Sequence, residues 1–357
     1  MQRAAAAIAG SGATPYYFRG LSAPQTNYEL IGKAILLACK DAGIAVEQLD
    51  GIVSYANGFE AANIIEMLGI PELSYAVTVT GQGGGSAGVL DVAAAAIETG
   101  RAKHVVCIGC SQQVGHRYGT SLASLATTPQ AVFSLFAGLT GPGPSMALLA
   151  RRHMHKYGTR REAFAEVVRA SRDYAANMPE AIRKKPLSLD EYFAAPMLAD
   201  PLCRLDFCLE TDAALAFVVT SAERAKDLRQ KPVYIEGAAH GGGRDWGRAF
   251  FWLNMADDVF ASAGAERVAR QVYERAGVGP QDIDVALIYD HFSPLVVMQL
   301  EDYGFCPRGE GGAFVESGAI RLGGDPGQPP WRTSVRMLRD RHDAHPRSGR
   351  AVARGRA

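Results

Sequence analysis

Three side chains that can carry protons stand together at Tyr289-Asp290-His291, directly after the apolar run Val285-Ala-Leu-Ile288. If a strand runs through them, Tyr289 and His291 share one face and Asp290 points to the other. A phenol with an ordinary pKa near 10 is a neutral donor at rest, so work as a base would need a lowered pKa or a relay. His291 is placed to orient the phenol or to accept its proton. On residue types alone, a core tyrosine and a hydrogen-bonded histidine at a strand end is the plainer reading of the segment.

The second chemical feature is the glycine-rich stretch Gly81-Gln-Gly83-Gly84-Gly85-Ser86-Ala-Gly88, which joins a strand to a helix. Gly83 to Gly88 matches G-x-G-x-x-G, the turn that brings backbone close to a pyrophosphate. A dinucleotide site also needs an acidic residue at the end of the next strand, and that strand ends in Gly109-Cys110-Ser111. The dinucleotide reading therefore lacks its ribose contact. What the stretch does offer is successive N–H groups at Gly83, Gly84 and Gly85 before a helix N-terminus, a place where negative charge is stabilised.

The six cysteines (39, 107, 110, 203, 208 and 306) are scattered, as expected of core thiols in a reducing compartment. Cys107-Ile-Gly-Cys110 has CxxC form but lies in a strand-like run, with no second Cys or His pair at metal spacing. No metal site is expected, and the protein is expected to be cytoplasmic. Lys+Arg and Asp+Glu balance at 37 each, which excludes binding driven by overall positive charge; no nucleic-acid partner is expected. No apolar run approaches the ~20 residues of a spanning helix, so no membrane partner is expected either. The opening MQRAAAAIAG reads as a first strand rather than a leader.

The elements that must position these groups are legible from an internal repeat. LACKDAGIAVEQLDGIVSY (37–55) and QVYERAGVGPQDIDVALIY (271–289) align at a constant offset of 234 through Ala42/Ala276, Gly43/Gly277, Asp50/Asp284 and Tyr55/Tyr289. Each copy reads as a helix, a glycine stop, an acidic turn and an apolar strand. Strands near 4–10, 51–55, 75–80 and 104–109 alternate with helices near 26–42, 58–67 and 86–99. The second half repeats this with a helix near 263–276, a strand at 285–289 and a helix at 294–303. Such alternation predicts an α/β fold with largely parallel, doubly covered sheets. Residues 116–205, rich in Gly, Pro, Met and basic pairs, read as a helical insertion.

Several segments together resemble the thiolase superfamily, and within it the branch of sterol carrier protein X and the bacterial lipid-transfer-protein thiolase homologues. Val79 to Ser86 resembles the element that carries the nucleophilic cysteine, with Gly83 where that cysteine belongs. Ala7 to Thr14 resembles the opening strand. Arg152-His-Met-His-Lys-Tyr-Gly-Thr159 and Asp200 to Asp212 resemble the insertion and its exit. Tyr289-Asp-His-Phe-Ser293 resembles the His-Asp-Cys-Phe-Ser element. The resemblance implies two duplicated βα halves in a five-layer α-β-α-β-α arrangement with a helical loop-domain insertion. The corresponding domains are 1–115 plus 206–230, the insertion 116–205, and a second half at 231–330.

Glycine cannot form the thioester that two-step acyl transfer requires. Cysteine-free members of the branch are steroid side-chain aldolases, which split a β-hydroxyacyl-CoA into a ring ketone and propionyl-CoA by a retro-aldol reaction. The resemblance thus implies an acyl-CoA substrate with no separately bound cofactor, and Tyr289, His291 and Asp290 as the catalytic segment. It also implies the amides of Gly83, Gly84 and Gly85 as enolate stabilisers, a homodimer, and a zinc-ribbon/OB-fold partner subunit. Two rivals stand beside this reading. One is an acyltransferase with a relocated cysteine (Cys107, Cys110 or Cys306); the other is a non-catalytic acyl-CoA-binding scaffold. His116 and His240 lie in glycine-flanked loops that could reach the site mouth, although simple exposure is the plainer reading of both. Asp206, Glu210 and Asp212 read as structural groups. Arg151, Arg152, Lys156, Arg160 and Arg161 are available to CoA phosphates or to solvent.

After Gly324 the resemblance ends, where members continue with an Asn-x-x-Gly-Gly turn, a central helix and further strands. Residues 331–357 hold eight Arg against two Asp and few apolar positions, a composition expected of a shifted reading frame. The expectation is a poorly packed tail that supplies no strand and removes any second catalytic tyrosine or histidine.

Overall fold

The computed structural model describes residues 4–55, 59–80, 85–115, 129–139, 141–243, 260–321 and 334–338. The first half alternates β1 (Ala6–Ala13), β2 (Tyr17–Phe18), α1 (Asn27–Ala42), β3 (Gly51–Tyr55), α2 (Ala61–Leu68), β4 (Tyr75–Val79), α3 (Gly85–Glu98) and β5 (His104–Ser111). Next come α4 (Pro129–Phe136), α5 (Pro142–Tyr157), α6 (Arg161–Ala176), α7 (Leu189–Phe193) and the hairpin β6 (Met197–Ala199) with β7 (Leu202–Cys203). The chain returns as β8 (Thr211–Ser221) and continues with β9 (Val233–Tyr234), α8 (Glu266–Ala276), β10 (Val285–Tyr289), α9 (Ser293–Asp302), α10 (Gly311–Glu316) and β11 (Ser334–Leu338).

The main sheet runs β4-β3-β5-β8-β1-β9, with β2 attached to β8. β4, β3 and β5 are parallel, as the alternation predicts. β8, which the sequence pattern does not single out, enters antiparallel between β5 and β1. Its register explains the insertion: Ser111 at the end of β5 pairs with Ala213 at the start of β8, so everything between is the connection of one antiparallel pair. β8 is buried along most of its length, which is why it reads as an unbroken apolar run rather than an alternating one.

Both faces of this sheet are covered. On one, Leu30, Ile31, Ala34 and Ile35 of α1 pack over Ile52, Val106, Ile108 and Val218. On the other, Val89, Ala93 and Ile97 of α3 pack over Val53, Val105 and Val219. A third core joins α5 and α6 of the insertion to β10, α9 and Val315 of α10, so the insertion is seated on the second half. At its centre, fully buried His153 bonds Thr159 Oγ1 (2.8 Å) and Glu301 Oε1 (3.1 Å), and Glu301 also accepts the Gly311 N–H.

The repeat is real in three dimensions. α1 and α8 both end on left-handed glycines, Gly43 (φ 79°) and Gly277 (φ 66°), each followed by a 3-10 turn (Val46–Gln48 and Pro280–Asp282) and then by β3 or β10. A further pair escapes the offset of 234. A Cβ on Gly10 would lie 2.4 Å from Ala42 N, and one on Gly237 would lie 2.6 Å from Val272 O and 3.0 Å from Ala276 N. Ile8-Ala-Gly10 and Ile235-Glu-Gly237 are thus equivalent segments, each pressed onto the repeated helix.

The tail expectation is corrected in part. Residues 334–338 form β11, parallel to β10 with Val285 opposite Ser334 and Tyr289 opposite Leu338, the same arrangement by which Gly51 to Tyr55 meets Tyr75 to Val79. Charge dominates the composition of this segment, yet Ser-Val-Arg-Met-Leu alternates well enough for a short strand. The remainder of the tail lies outside the described residues.

Candidate active site

Tyr289 is the last residue of β10, and Asp290-His291-Phe292 makes the bend into α9. This bend is held from several sides. The Tyr289 carbonyl accepts from Gln299 Nε2 at 2.8 Å, and the His291 carbonyl accepts from the Cys208 N–H at 3.0 Å. Phe292 forms a bridge with Phe207, their rings 5.0 Å apart and edge-on. Below it, buried Asp206 accepts from Tyr192 Oη (2.7 Å), the Cys203 N–H (2.7 Å) and Ser293 Oγ. Desolvation raises the pKa of Asp206 against the opposing pull of these donors. Asp206 therefore ties the insertion's exit to the start of α9.

Tyr289 and His291 lie on one side of the bend even though β10 has already ended. Their rings stack at 4.5 Å with an interplanar angle of 15°. Both are half-buried. Ring-on-ring contact fixes the plane in which the phenol sits, and Phe292 meets His291 edge-on from behind at 5.3 Å. Asp290 points elsewhere: it is 5% exposed, and its Oδ2 accepts from Ser171 Oγ of α6 at 3.1 Å. The side chain thus fastens the bend to the insertion.

The glycine-rich stretch lies at the end of β4. Gly83 and Gly84 fall outside the described residues, as does His116; Gly85 opens α3. A Cβ on Gly85 would come within 2.8 Å of the Tyr55 ring and 3.1 Å of the Thr80 carbonyl. Tyr55 is the repeat mate of Tyr289, so the two halves end the same strand in a tyrosine, one beneath the glycine-rich stretch and one stacked on His291. His240, which the sequence left as a loop residue, reaches into the first half, where its Nε2 lies 3.0 Å from Thr80 O. No local sequence pattern marks it, because both of its contacts, Thr80 and Gly88, lie in the first half.

The other sequence candidates have structural partners. Glu210 pairs with Arg19, and Asp212 accepts from Ser22 and Gln113. Arg151 pairs with Asp200 and Arg160 with Glu316, while Arg161 lies over the Tyr192 and Phe193 rings. Among the relocated-cysteine candidates, burial pushes the Cys110 thiol up to about 12 and raises Cys107 and Cys306 strongly as well. A thiolate is the nucleophilic form, so these sites disfavour it. Cys208, which no sequence motif marks, is half-buried and lies beside His291 through its backbone bond. Among the described residues, no group of three His, Cys, Asp or Glu side chains could hold a metal ion, and no helix is long and apolar enough to cross a membrane.

A two-sided α/β sheet, a repeated helix–turn–strand unit and a glycine-rich strand-to-helix junction define a thiolase-fold protein. A family model described as thiolase C-terminal domain-like matches residues 252–333. The steroid side-chain-cleaving aldolase of Thermomonospora curvata is 36% identical over 328 residues, spanning 90% of this chain and 83% of that protein. The 17-hydroxy-3-oxo-4-pregnene-20-carboxyl-CoA lyase of Mycobacterium tuberculosis is 35% identical over 328 residues, covering 89% and 83%. The solved Ltp2-ChsH2(DUF35) aldolase superposes with a TM-score of 0.82 at 32% identity over 95% of this chain and 84% of that one. Human mitochondrial 3-ketoacyl-CoA thiolase, at 18% identity and a TM-score of 0.63 over 84% and 83%, shows the fold alone. The chain belongs to the family of the steroid side-chain-cleaving aldolases within the thiolase superfamily.

Proposed function

We propose that this protein is a carbon–carbon lyase that cleaves a steroid β-hydroxyacyl-CoA by retro-aldol reaction to a ring ketone and propionyl-CoA. The observation that carries the reading is the stacked Tyr289–His291 pair at the end of β10 in a chain whose junction has glycine where a thiolase nucleophile would stand. Cleavage removes the hydroxyl proton as the carbon–carbon bond breaks, leaving the electron pair as a thioester enolate that a proton then quenches. Tyr289 moves the proton at the hydroxyl. His291 holds the phenol's plane through the stack, and Asp290 anchors the bend through Ser171. The amides of Gly83 and Gly84, which precede α3 in the chain, and of Gly85, which opens it, receive the enolate oxygen. The CoA is part of the substrate, and no separate cofactor is required.

We further assign the assembly as a homodimer working with a zinc-ribbon/OB-fold subunit in the cytoplasm. Among the described residues β4 is an edge strand of the main sheet, a surface suited to pairing with a second copy. The two-part name of the Ltp2-ChsH2(DUF35) aldolase supports a partner subunit.

The test is product formation from a steroid β-hydroxyacyl-CoA by the full chain, with any co-purifying partner, in the presence and absence of free CoA. Ketone and propionyl-CoA without added CoA, unaffected by iodoacetamide, are expected. Strict dependence on free CoA with loss on alkylation would instead establish an acyltransferase acting through a cysteine, Cys208 being the one beside the bend.

A further inference from the structure

His240 belongs to the second half by sequence, following β9, yet its ring rests on the first. Nε2 lies 3.0 Å from the carbonyl of Thr80, the last described residue before the glycine-rich stretch. A carbonyl only accepts, so Nε2 carries the proton of this bond. The opposite edge of the ring faces Gly88 in the first turn of α3, so closely that a Cβ there would lie 2.4 Å from Nδ1 and 2.7 Å from Cγ. One side chain therefore touches both stems of the stretch, entry and exit. From the other direction Tyr55 packs against Gly85, itself against the Thr80 carbonyl.

We propose that His240 is a positioning residue for the enolate-stabilising amides: it clamps Thr80 to Gly88 and so aims the N–H groups that open α3, Gly85 first. This rests on the aldolase reading for its catalytic meaning, though not for the clamp. It also assigns a reason to the last glycine of the G-x-G-x-x-G spacing. Gly88 lacks a side chain because the His240 ring occupies that space, and no pyrophosphate is needed to explain it. Amides that stabilise an oxyanion act through fixed placement, and a misplacement of about 1 Å costs on the order of 100-fold in rate. The clamp couples the halves as well, because the residue that aims the first half's amides is carried by the second half's chain.

The experiment compares His240→Ala, His240→Gln, Gly88→Ala and the double variant His240→Ala/Gly88→Ala in the full chain. Two readouts are taken: steady-state cleavage, and amide hydrogen exchange at residues 85–89. His240→Ala is expected to lower kcat by about 10- to 100-fold with KM within about threefold, and to speed exchange at 85–89 without shifting the global unfolding midpoint. His240→Gln, which restores an N–H donor, should recover most of both. Gly88→Ala should reproduce the loss alone and add little in the His240→Ala background, because the ring it strikes is gone. Wild-type kcat and wild-type exchange in His240→Ala would overturn the proposal, as would fully additive losses in the double variant. If the wild-type chain does not cleave the thioester but exchange at 85–89 responds as described, the aldolase reading fails and the clamp stands without it.

Discussion

Replacing Tyr289 by Phe removes one oxygen and leaves the rest of the bend in place. The ring keeps its 4.5 Å stack on His291, and the main chain keeps its bond to Gln299, because that bond uses the carbonyl of residue 289 and not its side chain. Loss of a half-buried hydroxyl costs about 1 kcal/mol of stability, the net worth of a neutral hydrogen bond. If the phenol moves the proton in the cleavage step, its loss lowers kcat by roughly 10²- to 10⁴-fold, or about 3–5 kcal/mol of barrier. The two effects separate in two assays: release of propionyl-CoA at saturating thioester, and denaturant unfolding. His291→Ala provides the graded control. It removes the stack, worth about 0.5–1.5 kcal/mol, so if His291 only orients the phenol the loss should be roughly tenfold or less. A Tyr289→Phe enzyme within threefold of wild-type kcat would refute the assignment. A His291→Ala loss equal to that of Tyr289→Phe would mean that His291 moves the proton itself.

Three further outcomes follow from packing. Burial raises the pKa of Asp206 in the fold, so its favourable contribution is complete below the ordinary carboxylate range and is lost as pH rises from about 4 through the raised folded value. Asp206→Asn should remove that part of the slope, visible as converging unfolding curves at low pH and diverging ones towards neutrality. Parallel curves would show that the site does not titrate differently on folding. Gly10→Ala and Gly237→Ala should each destabilise by about 1–3 kcal/mol, because the added methyl meets helix backbone that cannot rotate away. A neutral result at Gly237 alone would break the proposed equivalence of the two segments. His153→Ala strips one partner from the buried Glu301 carboxyl and should cost about 1–3 kcal/mol or more, measured by denaturant unfolding; an unchanged midpoint would mean that solvent replaces the imidazole.

The repeat, and with it most of the architecture, is legible from local residue pattern. Gly43 and Gly277 stop helices because only a left-handed residue closes that turn, and such local rules are readable without neighbours. Strand alternation also predicts Tyr289 and His291 together with Asp290 apart, and that grouping is present, although β10 ends at Tyr289 and it is the bend that stacks the two rings. Features that depend on residues far apart in the chain are not legible in this way. β8 has no amphipathic period because both its faces are buried, and its antiparallel entry depends on where the insertion returns. β11 was hidden by the charge of the segment around it and exists by pairing with β10. His240 offered no motif, because its partners Thr80 and Gly88 lie about 150 residues earlier and one of them is a carbonyl that any residue would supply. The chemistry-bearing types were legible from local pattern, whereas their clamps, Asp206 on Ser293, Ser171 on Asp290 and His240 on Thr80, come from contacts between halves and insertion that no local rule encodes.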